Sequence, residues 1–156
     1  MTEQLSVTTL SDTEIVMTRV LDAPRTLVWA CQTQAEHLRK WWGRGHPLDV
    51  EIDFRVGGKY RFVEHADDGN AYAFHGEFLE IEEPSRLVQT FEFEGMPGHV
   101  VTDSLELTEE NGRTTVTTTS RFDTKADRDG MVESGMADGA QQSYVALDAL
   151  LRELTN

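Results

Sequence analysis

The fold of this protein is decided by residues 135–154, which read GMADGAQQSYVALDALLREL. Apolar side chains recur there at steps of three and four, which places them on one helical face; they are Met136, Ala140, Tyr144, Leu147, Leu151 and Leu154. Polar residues fill much of the other side, and we assign Asp148 to that solvent-facing side. From residue 139 to residue 154 such a helix is roughly 24 Å long at 1.5 Å per residue, enough to cross a small domain.

Upstream, residues 48–122 have the pattern of β-strands. Alternating residues predict a half-buried strand over 48–54, and glycine- and aspartate-rich turns separate it from strands over 59–65 and 72–81. Matching the aromatic faces of the last two strands predicts that Phe62 lies opposite Gly76 and Tyr60 beside Phe78. Two further strands follow, each with one inward-facing set of residues: Leu87, Gln89, Phe91 and Phe93 in the first, and Val101, Asp103, Leu105 and Leu107 in the second. A threonine-rich strand over 114–122 comes last.

The N-terminal part supplies a first clear strand over 13–21 and two short helices, the first beginning at Pro24 and the second capped by Thr33. Residues 1–12 are predicted to be a flexible tail or a loosely attached strand. One large sheet and one long helix must bury each other. We therefore predict an α+β fold in a single domain, residues 13–156, with an antiparallel sheet wrapped around the final helix.

The charge balance of the chain excludes two classes of binding partner. The chain has 14 Lys and Arg against 28 Asp and Glu, a net charge of −14, so neither nucleic acid nor an anionic membrane is a predicted partner. The single cysteine, Cys31, rules out an internal disulfide and fits a reducing compartment. No segment is apolar for long enough to span a bilayer, and there is no signal sequence, so we predict a cytoplasmic protein.

Several local motifs occur in an order that resembles the helix-grip fold of the START-like (SRPBCC) superfamily, specifically its Hsp90-ATPase-activator-homologue-like branch. The residues that carry this resemblance are Arg19 to Pro24 with Val28-Trp29, Trp41-Trp42-Gly43, Asp53 to Gly58, Gly76 to Ile81 with Pro84, Arg86-Leu87-Val88 and Thr90, and Gly135 to Gly139 with Ser143. The resemblance implies a cavity between the sheet and the long helix. The family pattern commonly has Trp directly after the last glycine, where this chain has Ala140.

We expect the cavity to be lined by inward-facing aromatic residues, by inward polar residues, and by small or flexible residues near the start of the long helix. The predicted ligand-binding residues are Trp41, Trp42, Tyr60, Phe62, Phe74, Phe78, Gln89, Phe91, Asp103, Met131, Met136 and Ala140. Taken alone, each aromatic residue fits ordinary core better than a ligand site; the set together, opposite small helix residues, favours a cavity. If Asp103 is buried, its carboxylate requires a hydrogen-bonding partner or a water-filled cavity. The alternative is that it lies near a strand end and is solvated.

The sequence predicts no catalytic residue, no metal site and no cofactor. Cys31 has the surroundings of a small buried residue, and the five histidines lack metal-binding spacing, although His46 and His99 could rim a cavity mouth. The predicted function is binding of a small apolar molecule. The first alternative is action on an Hsp90-type chaperone, as the resemblance implies, and the last is a cyclase or hydratase activity with Asp103 or a cavity histidine as general acid or base.

Overall fold

The structure, a computed structural model, describes residues 5–155. Within that range the chain forms eight strands and four helices. The strands are β1 (Ser6–Ser11), β2 (Glu14–Leu21), β3 (Leu48–Ile52), β4 (Lys59–His65), β5 (Ala71–Glu82), β6 (Arg86–Phe93), β7 (Val101–Glu110) and β8 (Arg113–Arg121). The helices are α1 (Arg25–Thr33), α2 (Ala35–Trp41), α3 (Lys125–Glu133) and α4 (Met136–Thr155).

All eight strands form one antiparallel sheet in the order β1-β2-β8-β7-β6-β5-β4-β3. The two short helices α1 and α2 carry the chain from β2 to β3, which is the opposite edge of the sheet. The sheet curves around α4, the long C-terminal helix. This confirms the predicted α+β helix-grip fold. None of the helices formed by residues 5–155 has the length and apolar composition required to cross a bilayer.

The helix α4 supplies the centre of the core. Tyr144, Leu147, Leu150 and Leu151 are buried and join one apolar cluster with residues of α1, α2 and the inner sheet face. The predicted apolar face is therefore correct for most of its length. Leu154 departs from it, because its side chain is 38% exposed in the last turn.

The assignment of Asp148 to the solvent-facing side was wrong. Its carboxylate accepts two hydrogen bonds from Arg19, at 2.6 Å from Nη2 and 3.2 Å from Nη1. Arg19 lies on the inner face of β2 and is 1% exposed, and its guanidinium also donates to the Val20 carbonyl and lies over the Tyr144 ring. Asp148 follows Tyr144 by four residues, so it lies on the buried face, where its charge neutralises that of Arg19.

The predicted register between β4 and β5 was wrong by two residues. Tyr60 pairs with Gly76 and Phe62 with Phe74, so the inward and outward faces are as predicted but the partners are not. The reason is the Tyr60 ring, which extends across Gly76 so that its hydroxyl donates to the Thr90 carbonyl at 2.5 Å. A Cβ atom at position 76 would lie 2.6 Å from the Tyr60 hydroxyl and 1.9 Å from the Thr90 oxygen, so only glycine fits there.

Smaller differences occur at the ends of elements. The region predicted to be a tail or a loose strand contains β1, whose six residues are exposed and pair with β2; residues 1–4 lie outside the described range. Pro24 is the N-cap of α1 and not its first residue, and Gln34, not Thr33, is the N-cap of α2. The strand predicted over 48–54 ends at Ile52.

Candidate functional site: a cavity between the sheet and α4

A cavity of about 1050 Å³ separates the inner face of the sheet from the first half of α4. Its wall is formed by inward residues of β4 to β8, by the end of α2, and by α3. Asp67 in the β4–β5 turn and Met96 in the β6–β7 loop lie on the wall and are largely exposed, so the cavity opens to solvent between these loops.

One side of the cavity is a continuous aromatic surface. The Trp42 ring centroid lies 5.0 Å from that of Phe62 and 5.2 Å from that of Phe74, both edge-on. Tyr60 continues the contacts, with ring centroids 5.0 Å from Phe62 and 5.4 Å from Phe78. Rings held in such mutual contact form a preorganised apolar wall, because none has to move to receive a molecule.

The helical side of the cavity carries small and flexible residues. Gly139 and Ala140 in α4 lie on the wall, as do Met131 of α3 and Met136 of the first α4 turn. Small side chains at this point keep the helix surface away from the aromatic side. The flexible thioethers can adapt to the shape of a bound molecule.

A row of polar residues crosses the otherwise apolar sheet face. Gln89 of β6 pairs with Asp103 of β7, which pairs with Ser120 of β8, so the three side chains lie side by side on the inner face. Ser120 Oγ donates to Asp103 Oδ1 at 2.6 Å. Asp103 is the third residue of β7, where the pairing is regular, and its carboxylate has both a partner, Ser120, and a place on the cavity wall.

The surroundings of Asp103 raise the pKa of its carboxyl group. Burial raises the pKa of this carboxyl from 3.8 to about 6, although the hydrogen bond from Ser120 opposes the increase. Burial, and next the negative charge of Asp103, also raise the pKa of Tyr60. The Tyr60 hydroxyl donates a hydrogen bond to the Thr90 carbonyl, and the Tyr60 oxygen accepts a hydrogen bond from Gln89 Nε2 at 3.3 Å. Asp103 is therefore the group in this row able to exchange a proton near neutral pH.

We expect Asp103→Asn to stabilise the protein in a pH-dependent way. Because the native pKa is raised, the folded chain retains between about pH 4 and pH 6 a proton that the unfolded chain releases, so the ionised carboxylate destabilises the fold above that window. The variant should gain about 1–3 kcal/mol of unfolding free energy near pH 7 and almost nothing below about pH 4. Urea melts at both pH values measure this.

The control for that comparison is Asp123→Asn, which removes the same charge from an exposed position. It should give a small difference that does not vary over the window. An equal gain for Asp103→Asn at both pH values would show that the carboxylate is not desolvated in the native protein.

The cavity mouth carries a charged cluster that the sequence prediction missed. Glu64, on the inner face of β4, is 5% exposed, and its carboxylate binds the guanidinium of Arg44 and lies 2.7 Å from Nδ1 of His46. Ser143 Oγ of α4 accepts a hydrogen bond from the Arg44 backbone at 3.2 Å, which ties this loop to the helix. The alternation of Tyr60, Phe62 and Glu64 was a signal that Glu64 faces inward.

The structure places all twelve predicted ligand-binding residues on the wall of this one cavity. That they bind a ligand remains a prediction. His46 and His99 also lie on the wall near its mouth, where His99 Nδ1 is 2.8 Å from Asp127 Oδ1. Cys31 lies in the core instead, and burial raises the pKa of its thiol to about 11, which makes it a poor nucleophile. Across residues 5–155, no three His, Cys, Asp or Glu side chains are placed to share a metal ion.

Comparison with known proteins identifies the family. The sequence profile described as "Activator of Hsp90 ATPase homolog 1-like protein" matches residues 22–152, which is most of the chain. The chain belongs to this family. The match begins directly after β2 and continues into α4, so it includes most of the elements that form the cavity.

Solved structures agree over nearly the whole chain. A crystal structure of a protein from Rhodobacter sphaeroides has a TM-score of 0.86 at 25% identity, with 97% of this chain and 99% of that chain covered. A solution structure from Arthrobacter aurescens has a TM-score of 0.86 at 28% identity, covering 95% and 91%. A crystal structure from Mycobacterium smegmatis has a TM-score of 0.84 at 26% identity, covering 94% and 96%. Among proteins of curated function, none matches this chain significantly.

Proposed function

We propose that this protein binds a small, largely apolar molecule in the cavity between the sheet and α4. The observation that carries this proposal is the cavity itself, which has a volume of about 1050 Å³ between the sheet and α4. Ligand sites usually have volumes of about 300–1,000 Å³ and are lined mainly by apolar and aromatic side chains.

The distribution of polar groups on the wall supports the same function. A typical binding site combines an apolar lining with a few polar groups that orient the ligand. Here the aromatic wall supplies the lining, while Gln89, Asp103 and Ser120 form one polar row deep in the cavity. A molecule that enters at the loops would therefore bury its apolar body first and meet the polar row at its inner end.

The family description favours a second candidate, an interaction with an Hsp90-type chaperone. A purified Hsp90 ATPase, measured with and without this protein, tests it: a stimulated rate would support the chaperone role. We also propose a cytoplasmic location, because the single cysteine of the chain, Cys31, is unpaired, as is usual in a reducing compartment. The cavity favours ligand binding, because a chaperone contact on the surface does not require an open space inside the domain.

The variant Ala140→Trp tests ligand binding. The new indole should extend into the open space between α4 and the aromatic wall, so the melting temperature should hold or rise, whereas in a closed core the same change typically costs about 1–3 kcal/mol. Because the indole occupies the space, the affinity for the neutral fluorescent dye N-phenylnaphthylamine should fall by about tenfold or more, a loss of about 1.4 kcal/mol. Thermal melts and dye titrations measure both effects.

The matched control is Ala149→Trp, which adds the same side chain at an exposed position of the same helix. It should leave the affinity for the dye unchanged. A lower melting temperature for Ala140→Trp together with unchanged dye binding would show that the space is already packed and that the dye binds elsewhere.

A further inference from the structure

The polar row defines which chemical group the cavity can accept. Ser120 Oγ already gives its proton to Asp103 Oδ1, and the Tyr60 hydroxyl gives its proton to the Thr90 carbonyl. One N–H of Gln89 is directed to the Tyr60 oxygen. Apart from the second N–H of Gln89, the groups that remain for a ligand are acceptors, chiefly the second carboxylate oxygen of Asp103 and the amide oxygen of Gln89.

The charge of Asp103 has no cationic neighbour in the cavity. Among the described residues on the cavity wall, Arg44 is the only arginine or lysine, and its guanidinium is bound by Glu64. Glu64 of the mouth cluster pairs with Tyr72 of β5, and Gln89 of the polar row pairs with Phe78 of β5. These two β5 residues are six positions apart. At about 3.3 Å per residue, this separates the mouth cluster from the polar row by roughly 20 Å along the strand direction.

The groups around Asp103 come from several elements and none supplies a positive charge. Tyr60 on β4 and Tyr144 on α4 lie on the same cavity wall as Asp103, and their pKa values are raised by burial and, to a smaller degree, by the negative charge of Asp103. The pKa of Tyr144 reaches about 12, with burial as the largest cause, so both phenols are neutral. Arg19 is not on the cavity wall, and its guanidinium is bound by Asp148.

We infer that the ligand of this cavity is a lipophilic amine, bound as a cation with its ammonium group at Asp103 and its apolar body against the aromatic wall. This inference rests on the proposed function and names its ligand class. An ammonium group donates up to three hydrogen bonds, which matches the free acceptors of Asp103 and Gln89. It also supplies the counter-charge that Asp103 lacks in the cavity. A carboxylic acid would instead place a second negative charge beside Asp103.

The test uses three ligands that share one ring system, namely naphthylmethylamine, naphthylmethanol and naphthoate, each titrated against the dye-loaded protein near pH 7. The amine should displace the dye about tenfold more tightly than the alcohol, and naphthoate about tenfold more weakly than the alcohol. In Asp103→Asn the affinity for the amine should fall by about tenfold, while that for the alcohol should stay within about threefold.

The control Asp138→Asn removes one negative charge from an exposed position on α4 that is not on the cavity wall. It should leave the preference for the amine unchanged, which separates Asp103 from the general field of a chain of charge −14. If the alcohol binds as tightly as the amine, or if Asp103→Asn keeps the preference for the amine, the inference is overturned and the proposed function stands. If neither the dye nor any of the three ligands binds, the proposed function itself fails.

Discussion

Asp148→Ala is expected to lower the free energy of unfolding by about 3–5 kcal/mol, because it leaves the Arg19 guanidinium buried without its counter-charge. Arg19 is 1% exposed and Asp148 16% exposed, so water cannot replace the lost carboxylate without opening the helix from the sheet. The Nε atom of Arg19 already lacks a partner, which leaves the side chain dependent on Asp148 and the Val20 carbonyl. Urea melts of the two proteins measure the loss.

Glu153→Ala is the control, since it removes a carboxylate from an exposed position of the same helix. Its effect should stay within about 0.5 kcal/mol. Asp148→Asn, which keeps the shape and removes the charge, should still lose most of the stability that the alanine variant loses. If Asp148→Ala and Glu153→Ala behave alike, Arg19 and Asp148 do not form a buried ion pair.

Leu147→Ala is expected to destabilise the protein by about 2–5 kcal/mol. Leu147 is fully buried at the centre of α4 and belongs to the main apolar cluster, so truncation removes apolar burial and leaves a second void close to an existing cavity. Dense packing from α1 and α2 on this part of the helix limits the collapse that would relieve the loss. The same denaturant melts measure it.

Leu154→Ala provides the comparison for the same substitution on the same helix, because Leu154 is 38% exposed. Its loss should be less than about 1 kcal/mol. Equal losses at Leu147 and Leu154 would mean that the orientation of α4 about its axis is not the one described.

Most elements could be predicted from the sequence because they rest on a local period, whereas the strand over 114–122 was predicted from its β-branched threonines. The steps of three and four in α4 and the alternation in β3 to β7 reflect burial on one face, which the structure confirms. Errors arose where residue type was used in place of position. Asp148 was assigned to solvent for its charge, although its place four residues after Tyr144 puts it on the buried face beside Arg19.

The cavity wall could also be predicted, since facing inward is a property of parity along a strand and of position on a helix. The twelve predicted residues lie on one wall, although the cavity itself was expected from the family resemblance. The alternation of residues along a strand does not determine the distance between the sheet and the helix. The volume of the cavity could therefore not be predicted from the sequence. The cluster of Arg44, His46 and Glu64 joins a loop to a strand, and such contacts depend on the path of the loop, which has no period.

The measurement that decides whether the cavity is a binding site is a methyl NMR titration with N-phenylnaphthylamine, using protein labelled at the alanine and methionine methyl groups. Ala140, Met131 and Met136 lie on the cavity wall, whereas Ala149 is exposed on the same helix as Ala140. We expect the signals of the first three to shift together and to saturate at about one dye per chain, with Ala149 unmoved, as for a single preformed pocket. Dye binding that leaves Ala140, Met131 and Met136 unmoved, or that shifts Ala149 equally, would contradict binding between the sheet and α4.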